Sequence, residues 1–200
     1  VVKASMRLEN SLRREGHLFV CGIDEVGRGC LAGPLVAGAV ILPTHWKKPL
    51  KDSKMLTESA RVELNEYILQ KSLANGIGWV ENTEIDEMGL TEAVKLACLR
   101  ALEDMGSGFS LAVIDGNYNY LDEFGVAQTL VKADQKMSCV AAASIIAKVA
   151  RDNYMYEKSN EYNLYDFENN VGYGTKKHRE AVATYGITPL HRKSFCRNLV

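Results

Sequence analysis

Three apolar runs in this 200-residue chain end in carboxylates: "GIDE" at Asp24 and Glu25, "AVIDG" at Asp115 and "VKAD" at Asp134. A carboxylate at the margin of an apolar core is costly unless something compensates its charge. Taken singly, each aspartate reads as a strand-end turn former or a helix cap. Taken together on one edge of a sheet, the three ends would surround a small volume with four carboxylates. Such groups repel and raise one another's pKa. Divalent cations resolve the conflict, and an oxygen-only set without His or Cys suits Mg²⁺ or Mn²⁺ rather than zinc. A pair of these ions is an apparatus for in-line displacement at a phosphodiester.

Adjacent residues of a regular strand point to opposite faces, so Asp24 and Glu25 share a site only if the strand ends or bulges at Glu25. Gly27 and Gly29 make such a departure easy. Their bareness also lets backbone groups approach a ligand, and a ribose 2′-OH, at once donor and acceptor, is what those groups can recognise. Arg28 between them is placed to hold a phosphate. The plainer reading is a glycine-rich hairpin turn with a solvated arginine.

The elements that must position these residues follow from periodicity and punctuation. Strands are expected over 17–24, 35–42, 77–82, 110–115 and 127–134. Helices are expected over 56–76, with Thr57 as cap and Asn75-Gly76 as stop, and over 89–106, with Thr91 as cap and Gly106 as stop. A long helix over 138–162, buried along its first half, precedes a loop over 163–174. A short helix over 175–186 is capped by Thr175 and stopped by Gly186. The result is one mixed α/β domain over 1–200 with a central sheet.

Net charge is −1, which gives no bulk attraction to a polyanion. The distribution is more telling. From Gly172 onward Lys176, Lys177, Arg179, Arg192, Lys193 and Arg197, with His178 and His191, face the single carboxylate of Glu180. Lys47, Lys48, Lys51 and Lys54 form a second cluster. Either is a solvated face or a path for phosphates. The cysteines Cys21, Cys30, Cys98, Cys139 and Cys196 are odd in number and form no C-x-x-C, which fits reduced thiols in a cytoplasmic protein. No run has the length of a membrane span, and "VVKASMRLENSLRREGH" lacks the apolar centre of a secretory signal.

Seven ordered blocks resemble the ribonuclease HII (type 2 ribonuclease H) family: "GIDEVGRGCLAGPLVAGAVIL", "KDSKML", "NTEIDEMGLTEA", "AVIDGN", "KADQK" followed by "AAASIIAKVARDNYM", "GYGTKKH" and "TPLHRKSF". The "GCLAGP" segment has a bacterial flavour. The resemblance implies a ribonuclease H-like fold, with a central mixed sheet flanked by helices and a small helical C-terminal segment over 163–200. It implies cleavage of the RNA strand in RNA/DNA hybrids, and nicking on the 5′ side of single ribonucleotides in duplex DNA. It assigns two-ion Mg²⁺ or Mn²⁺ binding and catalysis to Asp24, Glu25, Asp115 and Asp134. It assigns ribonucleotide sensing to Gly27, Arg28 and Gly29, and packing on the junction sugar and base to Tyr173. Lys54 and the basic C-terminal segment would contact phosphates.

Asp152 is one helical turn from Lys148, so a bracing ion pair is preferred for it, with a place near the metals as the alternative. Gln135 and Asn153 depart from residues common in the family, and the second departure removes a positive charge. Ribonuclease HIII shares the four carboxylates but usually has threonine where Arg28 stands, and it carries an extra N-terminal domain, so type 2 is expected. No aromatic sliding-clamp box closes "RKSFCRNLV", and a monomer is expected. Two other classes remain beside this reading: a metal nuclease or integrase of the same fold acting on DNA, and a non-catalytic nucleic-acid-binding module.

Overall fold

The structure, a computed structural model, describes residues 4–50, 56–106 and 108–199. Lys51 and Lys54 lie outside the described residues.

Strand β1 (Val20–Val26) turns back into β2 (Leu35–Ile41), antiparallel from Cys21↔Ile41 to Val26↔Val36. Strand β3 (Ala74–Val80) extends the sheet on the far side of β2. On the other side β4 (Leu111–Asp115) lies parallel to β1, and β5 (Ala127–Leu130) parallel to β4. The order β3-β2-β1-β4-β5 makes a mixed five-stranded sheet.

The strands bury both faces, as their β-branched and small apolar residues require. Val20, Val40 and Val113 pack against α5 (Ser138–Glu161). Cys21, Ile23, Ala39 and Ile114 pack against α4 (Leu90–Met105). The long helix comes very close to the sheet. A Cβ on Gly22 would sit 2.3 Å from the Cys139 carbonyl carbon, and one on Gly38 would sit 2.4 Å from the Ala143 oxygen. Glycine in the strands and the Ala141–Ala143 run on the helix are two halves of one contact. No helix among the described residues is long and apolar enough to cross a membrane.

Several boundaries differ from expectation. Helix α2 is Glu58–Lys71, and the expected stop at Asn75-Gly76 lies inside β3, because β2 pairs with that strand along its whole length. Thr57 and Thr175 do cap, each accepting a backbone N–H at 3.3 Å. Thr91 does not: α4 begins at Leu90, after a sharp turn at Gly89 (φ +81°) that follows α3 (Asn82–Met88). Strand β5 stops at Leu130, and Asp134 sits on a 3₁₀ turn, Ala133–Gln135, entered through Lys132 at φ +56°.

The expected loop at 163–174 is partly helical. It holds a 3₁₀ turn, Asn163–Tyr165, and α6 (Phe167–Asn170). These pack with α7 (Lys176–Tyr185) and α8 (Lys193–Cys196) at the end of α5, and their apolar cluster includes Ala32, Met155, Phe167, Val182 and Leu190.

Helix α1 (Arg7–Arg14) has no counterpart in the sequence reading. Its Glu9 is fully buried and accepts the Cys139 N–H at 2.9 Å, in the first turn of α5. Met137, at the N-cap of α5, supplies no side-chain cap, so a residue 130 positions away satisfies an N–H that the helix leaves open. Burial pushes the Glu9 carboxyl pKa up.

Candidate active site

Strands β1 and β4 pair only as far as Ile23↔Ile114, and beyond that point β1 continues against β2 and β4 against β5. Asp24 and Asp115 follow that last pair, where the two strands part. A crevice beyond the carboxyl ends of parallel strands, where the chain leaves to opposite sides, is the general ligand position of open α/β sheets. A cleft of about 480 Å³ opens here. Asp24, Glu25, Asp115 and Asp134 all line it, with Gly27, Arg28, Gly29 and Tyr173, and with Ser144 and Lys148 from α5.

The strand neither ends nor bulges at Glu25, contrary to expectation. Asp24↔Gly38, Glu25↔Ala37 and Val26↔Val36 continue the ladder without a break. The two carboxylates reach one cleft because β4 has left the ladder beside them, so no neighbouring strand separates the two faces of β1. The chain turns two residues later, at Gly27, with φ +92°.

The carboxylates are held apart from full solvation. Burial pushes the Asp24 carboxyl well above its ordinary pKa; Glu25, Asp115 and Asp134 push the same way, and a Ser144 hydrogen bond opposes them. Burial also raises the Glu25 pKa, opposed chiefly by Arg28, whose Nη1 lies 3.3 Å from Oε1. Glu25 Oε2 is buried without a hydrogen-bond partner. Asp115 Oδ1 accepts the Ala133 N–H at 2.6 Å, tying the end of β4 to the turn that carries Asp134. No three His, Cys, Asp or Glu side chains among the described residues already close on one point as a ready ligand set. The four line the wall of an open cleft. An orphaned carboxylate oxygen, mutual repulsion and an all-oxygen donor set nevertheless fit hard divalent cations.

Arg28 and Lys148 are the cations of the lining. Lys148 Nζ lies 2.7 Å from Asp152 and 5.8 Å from the centroid of the Tyr173 ring. The expected Lys148–Asp152 pair is therefore present, with Arg61 as a second partner of Asp152 at 3.5 Å. Asp152 stands behind the cleft rather than on its lining.

Arg192, His178 and His191 leave the predicted cationic path, because all three are buried. Arg192 donates to the Gly33 carbonyl from two nitrogens (3.0 and 2.9 Å) and to the Arg28 carbonyl (3.1 Å). Burial lowers its pKa to about 10, so it remains charged at neutral pH. Arg151, not singled out from sequence, is its companion: it donates to the carbonyls of Pro34, Val171 and Ala32 at 2.8, 2.8 and 3.1 Å. Its one sequence signal is a cation within an alanine-rich buried helix. The two guanidiniums shape the loop after β1 from beneath.

The two glycines of that loop differ. A Cβ on Gly27 would meet Arg151 Nε at 2.4 Å and the Pro34 oxygen at 2.8 Å, whereas one on Gly29 meets nothing within 4 Å. Gly27 is demanded by the fold, and Gly29 is exposed and unconstrained by it. Tyr173 is held by its N–H on the Asn170 carbonyl (2.8 Å) and by a backbone bridge to Cys30; the residue is 38% exposed and lines the cleft. Burial pushes its phenol pKa up to about 12.

The model of the family described as Ribonuclease HII matches residues 21–198. The chain belongs to the ribonuclease HII family. It is 45% identical to the ribonuclease HII of Bacillus subtilis (strain 168) over 188 residues, 94% of this chain and 73% of that protein. The crystal structure of ribonuclease H2 from Pyrococcus horikoshii OT3 superposes with a TM-score of 0.75 at 26% identity, covering 90% of this chain and 96% of that one. Bst-RNase HIII, solved in complex with Mn²⁺, shares the fold at a TM-score of 0.68 and 21% identity, over 90% of this chain and 62% of that one. The ribonuclease H-like fold expected from the sequence is thus present. The protein is a ribonuclease H, a hydrolase of RNA in RNA/DNA hybrids.

Proposed function

We propose that this member of the ribonuclease HII family also nicks duplex DNA on the 5′ side of a single embedded ribonucleotide, by two-ion catalysis that leaves 3′-OH and 5′-phosphate ends. The observation that carries the reading is one cleft lined at once by Asp24, Glu25, Asp115 and Asp134 and by Gly27, Arg28, Gly29 and Tyr173.

Asp24, Glu25, Asp115 and Asp134 would hold a pair of Mg²⁺ or Mn²⁺ ions. When bound, such ions lower the pKa of an attacking water and stabilise the departing 3′ oxygen. The protein's own groups do the rest. Gly29 offers backbone N–H and C=O at a bare, exposed position, where a ribose 2′-OH can exchange hydrogen bonds with them. Arg28 is half tethered by Glu25 and carries its charge toward the neighbouring phosphate. The exposed part of the Tyr173 ring packs on the sugar and base at the RNA–DNA junction. Lys148, fixed by Asp152, adds a cation at the same wall. Lys54 and the helical segment from 163 onward contact phosphates along the duplex, within one catalytic domain. Recognition is of sugar identity and duplex shape, not of base sequence.

The test is cleavage of three duplexes with Mg²⁺ and with Mn²⁺: uniform RNA/DNA, DNA with one ribonucleotide, and all-DNA. The first two should be cut and the third left intact, with the nick 5′ of the ribonucleotide and 3′-OH and 5′-phosphate ends that a ligase can reseal. Cleavage of all-DNA duplex, or none at the single ribonucleotide, would overturn the proposal.

A further inference from the structure

Two segments grip the loop that follows Gly29. On one side Leu31 and Ala32 donate N–H groups to the Gly172 carbonyl at 2.8 and 3.3 Å, and Tyr173 bridges Cys30. On the other side Gly33 N–H reaches the Leu190 carbonyl at 2.9 Å, Arg192 N–H reaches the Leu31 carbonyl at 2.8 Å, and His191 bridges Ala32. Two buried imidazoles tie the gripping segments to each other. His178 Nδ1 lies 2.9 Å from the Tyr173 carbonyl oxygen, and His178 Nε2 lies 3.0 Å from His191 Nε2. His191 Nδ1 lies 3.0 Å from Thr188 N and 2.9 Å from its Oγ1.

The ends of this chain leave no choice of proton. The Thr188 backbone N–H only donates, so His191 Nδ1 is bare and its proton is on Nε2. That proton points at His178 Nε2, which must accept it. His178 therefore carries its own proton on Nδ1 and gives it to the Tyr173 carbonyl, which only accepts. Both rings are neutral, and a further proton on either would set one N–H against another. The rings of Tyr165 and Phe167 hold the imidazole planes, with centroids 5.0 Å from His191 and 5.2 Å from His178 respectively.

We propose that the His178–His191 pair is a positioning device: it locks Tyr173 against the loop of Gly27–Gly33 and so sets the preference for an RNA–DNA junction over uniform hybrid. The proposal rests on the reading of Tyr173 as the platform for the junction nucleotide. The surroundings favour a neutral pair. Asp166, the carboxylate acting on His178, is taken up by Lys177 at 2.8 Å. Beside His191 stand Asp86 and Glu87 of α3 and Lys193, and Asp86 is engaged by the backbone N–H groups of Lys193 and Ser194. Arg192 turns its guanidinium away, toward the Gly33 and Arg28 carbonyls. Burial lowers the His178 pKa, and burial together with the neighbouring His178 lowers that of His191 to about 4. The pair therefore holds through the neutral range and opens only in acid.

Imidazole ¹⁵N–¹H correlation spectra of the wild-type enzyme at pH 7 read the proton order directly. Expected are a neutral His178 protonated on Nδ1 and a neutral His191 protonated on Nε2. A charged ring or the reversed tautomers would overturn the proposal, whether or not any variant folds. His191→Phe keeps a ring but removes the hydrogen bonds of both ring nitrogens. This loss should lower the ratio of kcat/KM on the single-ribonucleotide duplex to that on uniform hybrid by about three- to tenfold. His191→Gln, whose amide can donate from the Nε2 position, should restore that ratio to within about twofold. An unchanged ratio in His191→Phe overturns the proposal. Tyr173→Ala distinguishes the two readings. If it loses the junction preference while His191→Phe keeps it, only the positioning device fails. If Tyr173→Ala keeps the preference, the platform reading fails and takes the device with it.

Discussion

Gly27→Ala and Gly29→Ala, two residues apart, should fail for opposite reasons. At Gly27 the backbone has φ +92°, a region that costs an L-residue about 1–2 kcal/mol. The added methyl would also sit 2.4 Å from Arg151 Nε and 2.8 Å from the Pro34 oxygen. Arg151 cannot swing aside without releasing three backbone carbonyls, and overpacking of this kind costs about 1–3 kcal/mol. The sum is about 2–5 kcal/mol, which for a domain of this size lowers Tm by about 4–20 °C. At Gly29 φ lies outside the left-handed region and the methyl meets nothing, so Tm should move by no more than about 2 °C. That methyl instead occupies the side from which a ribose would approach, and the lost backbone hydrogen bonds should reduce kcat/KM on a single-ribonucleotide duplex about 10–100-fold. Thermal unfolding in EDTA and cleavage with Mg²⁺ separate the two effects. A Gly27→Ala protein that melts like wild type refutes the packing argument. A Gly29→Ala protein with wild-type turnover on the single-ribonucleotide duplex refutes the idea that the bare residue exists for the substrate.

Three further outcomes follow from the same geometry. Asp115→Asn should bind uniform hybrid in a filter or anisotropy assay, yet lose more than about a hundredfold in kcat, since even the groups that support metal ligands are each worth 10–100-fold. Asp24→Asn should abolish cleavage and stabilise the metal-free protein. The folded chain holds the Asp24 proton more tightly than the unfolded one, so in EDTA wild-type stability falls as pH rises from about 4 toward the raised value, and the variant should lack that slope. Tm against pH in EDTA, with and without the substitution, checks this. Glu9→Ala should cost about 1–2 kcal/mol through the lost cap on α5, a fall of about 2–8 °C in Tm, with Glu9→Gln milder because its amide oxygen still accepts.

The strands were legible because each is a short apolar run punctuated by Gly, Pro or a carboxylate, and the carboxylates were legible because they sit at the ends of those runs. Local chemistry also placed Thr57, Thr175 and the Gly106 stop. What local chemistry misplaced was decided by pairing. Asn75-Gly76 has every mark of a helix stop, yet β2 offers a ladder partner to each residue from Ala74 to Val80, and a continuous ladder outweighs a turn preference. Glu25 stays in its strand for the same reason. Glu9 and Arg151 lay beyond reach because their partners are distant in the chain: Cys139 for Glu9, Ala32 and Pro34 for Arg151. Near Arg151 the one local signal is the alanine-rich helix around it, which does not say which carbonyls the guanidinium meets.

Those long-range contacts also explain why the cleft suits its chemistry. Arg151 and Arg192 are buried, and their N–H groups are spent on neutral carbonyls, so hydrogen bonds are satisfied while charge is not cancelled. Within the cleft Asp24 is forced by burial and by Glu25 toward a protonated state that it would leave if cations arrived. A fold that merely tolerated these groups would lower its energy by pairing guanidinium with carboxylate. Here Arg151 and Arg192 lie beneath the loop, off the lining of the cleft, and among the described residues the guanidinium paired with Glu25 is that of Arg28, at 3.3 Å. A divalent cation at the carboxylates and an anionic phosphate at Arg28 and Lys148 would offset each other's charge within one cleft. Binding of each should therefore strengthen binding of the other: Mg²⁺ should tighten, and EDTA weaken, the affinity of a cleavage-incompetent Asp115→Asn protein for hybrid to a smaller degree than for a wild type held on a non-cleavable duplex, and equal metal dependence in the two would sink this account.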